Sequence, residues 1–240
     1  MKRMICIILP TLFLFGFSIV THKNITDKAF DYLPEMMNGF RNKFQSPIIN
    51  SLPPYYMLPD LEEPGHTLEK IAQLTEQYYN TLVADLEQNN INDAEQNIGR
   101  IAHLIGDAVS PTQNSSETWG EIDDYYDFQI TDPYFDQIKI TRLDQNGLIE
   151  IDNIYNFTLE LCQSSTSHTE YLITIYNQYK DSPSDVFDNT KQIFDEQISI
   201  GIKALQDVLY TAWIEAGRPN YDNDPGNGGC SYYMLTEEIE

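Results

Sequence analysis

Apolar residues recur every three or four positions along most of this chain and alternate in twos almost nowhere, which predicts helices and few strands. Leu68, Ile71, Ala72, Thr75, Tyr79, Leu82 and Leu86 form one stripe, and the polar residues between them leave a wet face. Asn92 or Asp93 is placed to cap a second helix, whose stripe is Ala94, Ile98, Ile101, Ile105 and Ala108 and which stops ahead of Pro111. A third helical stretch is predicted from about Asn153 to Lys180. A fourth, from about Phe194 to Ala216, carries Ile198, Ile202, Leu205, Leu209 and Ala212 and ends at Gly217 before Pro219. A shorter helix is predicted from near Ile25 to about Met37. The fold class read from this pattern is all-α, a multi-helix bundle.

Proline and asparagine collect between the helices, in "SPIINSLPPYYMLPDLEEPG" at 46–65, in the acidic stretch after Pro111, and in "GRPNYDNDPGNGG" near the end. No internal repeat stands out. "TRLDQNGLIEID" at 141–152 reads better as a short hairpin around Asn146-Gly147 than as half of a calcium loop, whose later ligands are missing. The cluster Asp222, Asn223, Asp224 has the same two readings, weighted the same way.

Length and charge add a class and a compartment. The 240 residues suffice for one sizeable core and show no internal break, so residues 19–240 are expected to form a single domain. Ahead of it, Lys2 and Arg3 precede a nearly unbroken apolar run from Met4 to Val20, the layout of an export signal. Gly16 and Ser18 permit cleavage after Ser18; retention of residues 1–18 would instead leave a membrane anchor. The product is therefore expected outside the cytoplasm. A formal charge of −23 on a chain that is 41% apolar belongs to the surface of a folded protein rather than to a disordered one. Cleavage would remove two cations and no acid, and such a surface repels nucleic acid and anionic lipid at long range. With Cys6 in the signal, Cys162 and Cys230 either pair or sit separately in the core.

The chain has four histidines, and one of them lies in "IAHLIGDAVSPTQ" at 101–113. At 100° per residue, His103 and Asp107 fall together with Gln96 and Gly99, away from the isoleucine stripe. As a solvent-exposed pair they would add only a few tenths of a kcal/mol to the helix. His66 follows Pro64-Gly65, Asp60 lies in a proline-bounded loop, and His22 stands just after the signal. Two imidazoles and two carboxylates make a normal zinc shell, although taken singly a helix-cap role for His66 and a turn role for Asp60 are the more ordinary readings.

"THKNITDKA" at 21–29, "LPDLEEPGH" at 58–66 and "NDAEQNIGRIAHLIGDAVSPTQ" at 92–113 together resemble the zinc-dependent phospholipase C and S1/P1 nuclease superfamily. The resemblance covers about residues 19–130 and rests mainly on the helical His-x-x-x-Asp. It implies an all-helical fold holding zinc ions that activate water and neutralise phosphate oxygens. Carried over by position, Asp60, His66, His103 and Asp107 form one zinc site. Asp107 would also reach a second zinc, shared with His22 and the mature amino terminus. The chain departs from the pattern at Gln113 and Trp119, where a further site would have its histidines, leaving Asp123 as that site's remaining acid and one or two zinc ions as the expected content. His168, placed inside another helix, belongs to no motif.

Three readings follow. The first is an exported zinc-dependent phosphodiester hydrolase acting on a phospholipid head group or another small phosphoester, with Asp60 or Asp123 as the catalytic carboxylate that orients water or takes its proton. The absence of a basic stripe interleaved with aromatics argues against a nuclease that grips a long backbone. Tyr55, Tyr56, Tyr125 and Tyr126 would line a cleft or simply pack. The second reading is a non-catalytic exported protein that keeps metal for folding. The third is a helical interaction domain without metal.

Overall fold

The computed structural model describes residues 19–51, 55–57, 67–113, 120–141 and 147–221. Helix α1, Ile19–Asp31, buries Ile25, Ala29 and Phe30. A 3-10 turn, Glu35–Met37, leads into α2, Asn38–Asn50, and a second 3-10 turn covers Tyr55–Met57. Helix α3, Leu68–Gln88, starts at Thr67, whose hydroxyl accepts from the Lys70 N–H, and ends at Asn89 in the left-handed conformation. Helix α4 spans Ile91–Val109. Glu121–Tyr125 (α5) runs through a π-helical turn, Tyr126–Thr131, into Asp132–Tyr134 (α6) and a 3-10 turn at Phe135–Gln137. Helices α7, Ile154–Thr166, and α8, Thr169–Tyr179, precede the long α9, Pro183–Glu215. The all-α expectation holds, and there is no strand among the described residues.

Several predicted boundaries move, each for a local reason. The helix expected at 25–37 begins at Ile19 and stops at Asp31, and a separate α2 follows. Pro47 masked α2 in the sequence, yet Phe40, Phe44 and Ile48 lie four apart and are fully buried, so packing outweighs the missing N–H. The 153–180 stretch is two helices joined at Ser167 and His168, which puts His168 in a half-buried turn rather than within a helix. Helix α9 starts with Pro183 in its first turn, well before Phe194. Asn90, not Asn92 or Asp93, precedes α4.

Helix α4 sits at the centre and packs against α1, α2, α3, α7, α9 and the Tyr55–Met57 turn. Its second half is therefore buried on every side: all residues from Ile101 to Val109 are inaccessible. This corrects the wet face expected for His103 and Asp107, each 0% exposed. Close approach is enabled by Gly99, where a Cβ would collide with the Tyr55 backbone, and by Gly106, where it would collide with the His22 ring. At the far end of the α3–α4 pair, the Asn97 amide donates to the buried Asp85 carboxylate at 2.8 Å.

The turn expected at Asn146-Gly147 falls partly outside the described residues, while its flanks, 139–141 and 147–151, form no strand and clasp α9 instead. The backbone N–H groups of Lys139 and Thr141 donate to Asp195 Oδ1 and Ser199 Oγ at 2.7 and 2.9 Å. Those of Ile149 and Ile151 donate to Asp207 Oδ1 and Thr211 Oγ1, both at 3.1 Å. Two extended residues advance about 6.6 Å and four helical residues about 6 Å, so alternate amides of the strap meet successive turns of the helix. Each acid is also held by a lysine one turn earlier, Lys191 for Asp195 and Lys203 for Asp207. Lys-x-x-x-Asp-x-x-x-Ser/Thr thus occurs twice in α9, at 191–199 and 203–211, a repeat that the sequence reading missed. Residues 142–146 and 222–224 lie outside the described residues, and with them the calcium-loop alternatives.

Candidate metal centre

Helix periodicity places His103 and Asp107 one turn apart on α4, and α1 supplies His22 opposite them. The Thr26 hydroxyl donates to the His22 carbonyl at 2.8 Å, and Gly106 provides the space that the His22 ring fills. The two imidazoles stack with centroids 4.5 Å apart and planes inclined by 18°. Asp107 divides its carboxylate between them: Oδ1 lies 3.4 Å from His22 Nε2 and Oδ2 lies 3.1 Å from His103 Nε2. One ligand atom from each residue falls within 4.8 Å of the others, and all three side chains are buried.

Two neutral imidazoles and a carboxylate are the donor set and size of a three-residue zinc site, which retains a fourth position for water or substrate. A carboxylate with one oxygen toward each imidazole also suits a ligand shared between two ions. The structure brings together His22, His103 and Asp107 of the five expected ligands. Asp60 and His66 lie outside the described residues, as does Trp119.

Beside this group stands a wall of acids. Asp123, on α5, is 2% exposed, and its carboxyl is pushed up to about 7, first by burial and then by repulsion from Asp107 and Asp124, against a stabilising hydrogen bond from Thr112. A carboxyl that ionises near neutrality is suited to exchange a proton with water. Asp127, one turn further on in the π-helical segment, is raised well above the usual carboxylate range by complete burial and by Asp123, Asp132, Asp107 and Asp124. The sequence reading missed Asp127; its signal was the i, i+4 spacing from Asp123. Gln113 is buried with Ser110 and Thr112, and its backbone N–H donates to Ser110 Oγ.

Tyr126 is fully buried with its hydroxyl donating to the Leu172 carbonyl, and the Tyr125 hydroxyl donates to the Lys180 carbonyl. Tyr56 is buried, and the Tyr55 backbone abuts Gly99. Tyr56 and Tyr126 thus serve packing, while Tyr55 and Tyr125 are half-buried. Cys162 is a free, buried thiol pushed up to about 12 chiefly by burial, while Cys230 lies outside the described residues. Among the described residues no helix is long and apolar enough to cross a membrane. No protein-family model matches this chain, and no curated protein matches it.

Proposed function

We propose that the chain is an exported zinc-dependent phosphodiester hydrolase of the phospholipase C type, acting on a phospholipid head group or another small phosphoester. The observation that carries this reading is Asp107 lying between the imidazoles of His22 and His103. It adds a third residue, from a separate helix, to the His-x-x-x-Asp on which the resemblance to the zinc-dependent phospholipase C and S1/P1 nuclease superfamily rests. Zinc in such a site supplies an activated water and positive charge for the phosphate oxygens. The chain's own part is to hold the imidazoles rigidly by stacking and close packing, and to offer Asp123 as a proton acceptor near neutral pH. Asp60 and His66 would complete the first shell in this reading. The acidic surface favours a small phosphodiester whose charge is balanced by a cationic head group over a polyanion.

The test is hydrolysis of a chromogenic phosphodiester by protein of measured zinc content. His103→Ala should lose at least one zinc per chain and reduce turnover by about a hundredfold or more, with the helical circular dichroism retained. Full activity in the variant would sink the reading. Complete burial of the three ligands favours a second reading, a closed zinc that serves folding alone. That reading expects zinc in the wild type, no hydrolysis of any phosphodiester tried, and a large loss of stability on chelation.

A further inference from the structure

The C-terminal end of α9 is closed at a cost in backbone strain. Past Ala216 the chain takes positive φ at Gly217, 78°, and again at Arg218, 58°. The Gly217 N–H donates to the Ile214 carbonyl at 2.9 Å and the Arg218 N–H to the Trp213 carbonyl at 2.8 Å, the bonds of a glycine-led helix stop. Arginine is an expensive residue for a left-handed position that glycine or asparagine fills easily, and strain of this kind gathers at ligand sites. The turn is fixed further by the Trp213 indole N–H, which donates to the Pro219 carbonyl at 3.1 Å. It lays the Arg218 guanidinium over the Trp213 ring, 5.9 Å from the centroid.

In a chain with 37 acids and 14 bases, Arg218 forms no ion pair among the described residues. It stands instead at a cavity of about 150 Å³, walled by Met36, Phe40, Trp213 and Tyr221 between the start of α2 and the end of α9. Tyr221 packs edge-on against Phe44, and its hydroxyl is buried with no hydrogen-bond partner among the described residues. Burial pushes that hydroxyl up to about 12, so it remains a donor in want of an acceptor. A cavity of this size accommodates a single six-membered ring. The walls are largely apolar side chains, and a guanidinium presents paired N–H donors that match a carboxylate. One arginine balances one negative charge, whereas a phosphate dianion would bring a second that the chain's net charge of −23 opposes.

We propose that this cavity binds a small monocarboxylic acid with a compact apolar body, its carboxylate held by Arg218 and Tyr221 and its body against Met36, Phe40 and Trp213. The site is separate from the metal centre. Trp213 lies roughly 18 Å along α9 from Gly201, the glycine that packs on Val109 and Ile25, close in sequence to Asp107 and His22.

Benzoate is the probe, titrated by calorimetry into the full chain, both zinc-loaded and chelator-treated. One molecule should bind saturably with a dissociation constant below about 1 mM in either state. Benzamide, which keeps the shape and lacks the charge, should bind at least tenfold more weakly. Arg218→Gly should weaken benzoate at least tenfold with the melting temperature held, because glycine accepts the positive φ. Tyr221→Phe should weaken benzoate severalfold and keep the preference over benzamide. Zinc content should be unchanged in both variants. If Arg218→Gly does not fold, nuclear magnetic resonance of the wild type decides: benzoate should shift the Trp213 indole N–H and leave the amides of Ile101 to Val109 in place. The proposal is overturned if benzoate does not saturate, if benzamide binds equally well, or if Arg218→Gly binds benzoate like the wild type. It is overturned equally if binding disappears with the zinc, which would put the carboxylate on the metal.

Discussion

Gly106 has one hydrogen where any other residue would drive a Cβ into the imidazole of His22. Gly106→Ala is expected to displace that ring while favouring the helix by propensity, roughly 1 kcal/mol. Zinc affinity should fall at least tenfold in a competition titration while the helical circular dichroism is retained; unchanged affinity would mean that His22 is not a ligand. The pair His103 and Asp107 was legible because two ligating side chains four apart face the same way on any helix. Their burial was not, since the projection that separated them from the isoleucine stripe assumed one dry face. On α4 the opposite face is covered by α1 and its neighbours, and only three-dimensional packing reveals that. Asp127 escaped notice because Asp and Glu number 37 in this chain, and spacing alone does not pick one from so many.

Among the elements, the two strap segments at 139–141 and 147–151 are the least predictable and the most testable. Their amides are satisfied by side chains of α9 rather than by a neighbouring strand, so strand-like residues around a good turn dipeptide gave the hairpin reading. Asp207→Ala would leave the Ile149 N–H and the Lys203 ammonium without their acceptor. A loss of about 2–3 kcal/mol is expected in urea unfolding, with faster amide exchange at Ile149 and Ile151 than at Lys139 and Thr141. Equal exchange along the strap would show that the two clasps do not act separately. Asp207→Asn, which keeps an acceptor oxygen, should lose less. For α2, Pro47→Ala restores a backbone donor within the helix and is expected to stabilise by about 1 kcal/mol, read from the same urea midpoint. The stripe Phe40, Phe44, Ile48 was present in the sequence all along; the proline-rich run after it drew the boundary in the wrong place.

For the whole molecule, the fold class was legible because helical periodicity survives without knowledge of partners, whereas the joints between helices depend on contacts that only the packed chain makes. Chelation is the experiment at this scale. A site that binds the folded state alone stabilises it by mass action, so removing zinc should lower the melting temperature by several degrees, about the equivalent of 2–4 kcal/mol at high occupancy. Hydrogen exchange should rise most around His22, with Ile25, Ala29 and Phe30 retaining protection through burial. Uniform loss across all helices would mean that α1 is not specifically tied down by the ion. The placement of His22 also sets a sequence of events. Eighty-one positions separate it from His103, so the two rings stack only once α1 has docked on α4. An ion that needs all three residues therefore closes a long-range contact, so its retention would serve as a record that the first helix had found its place on α4.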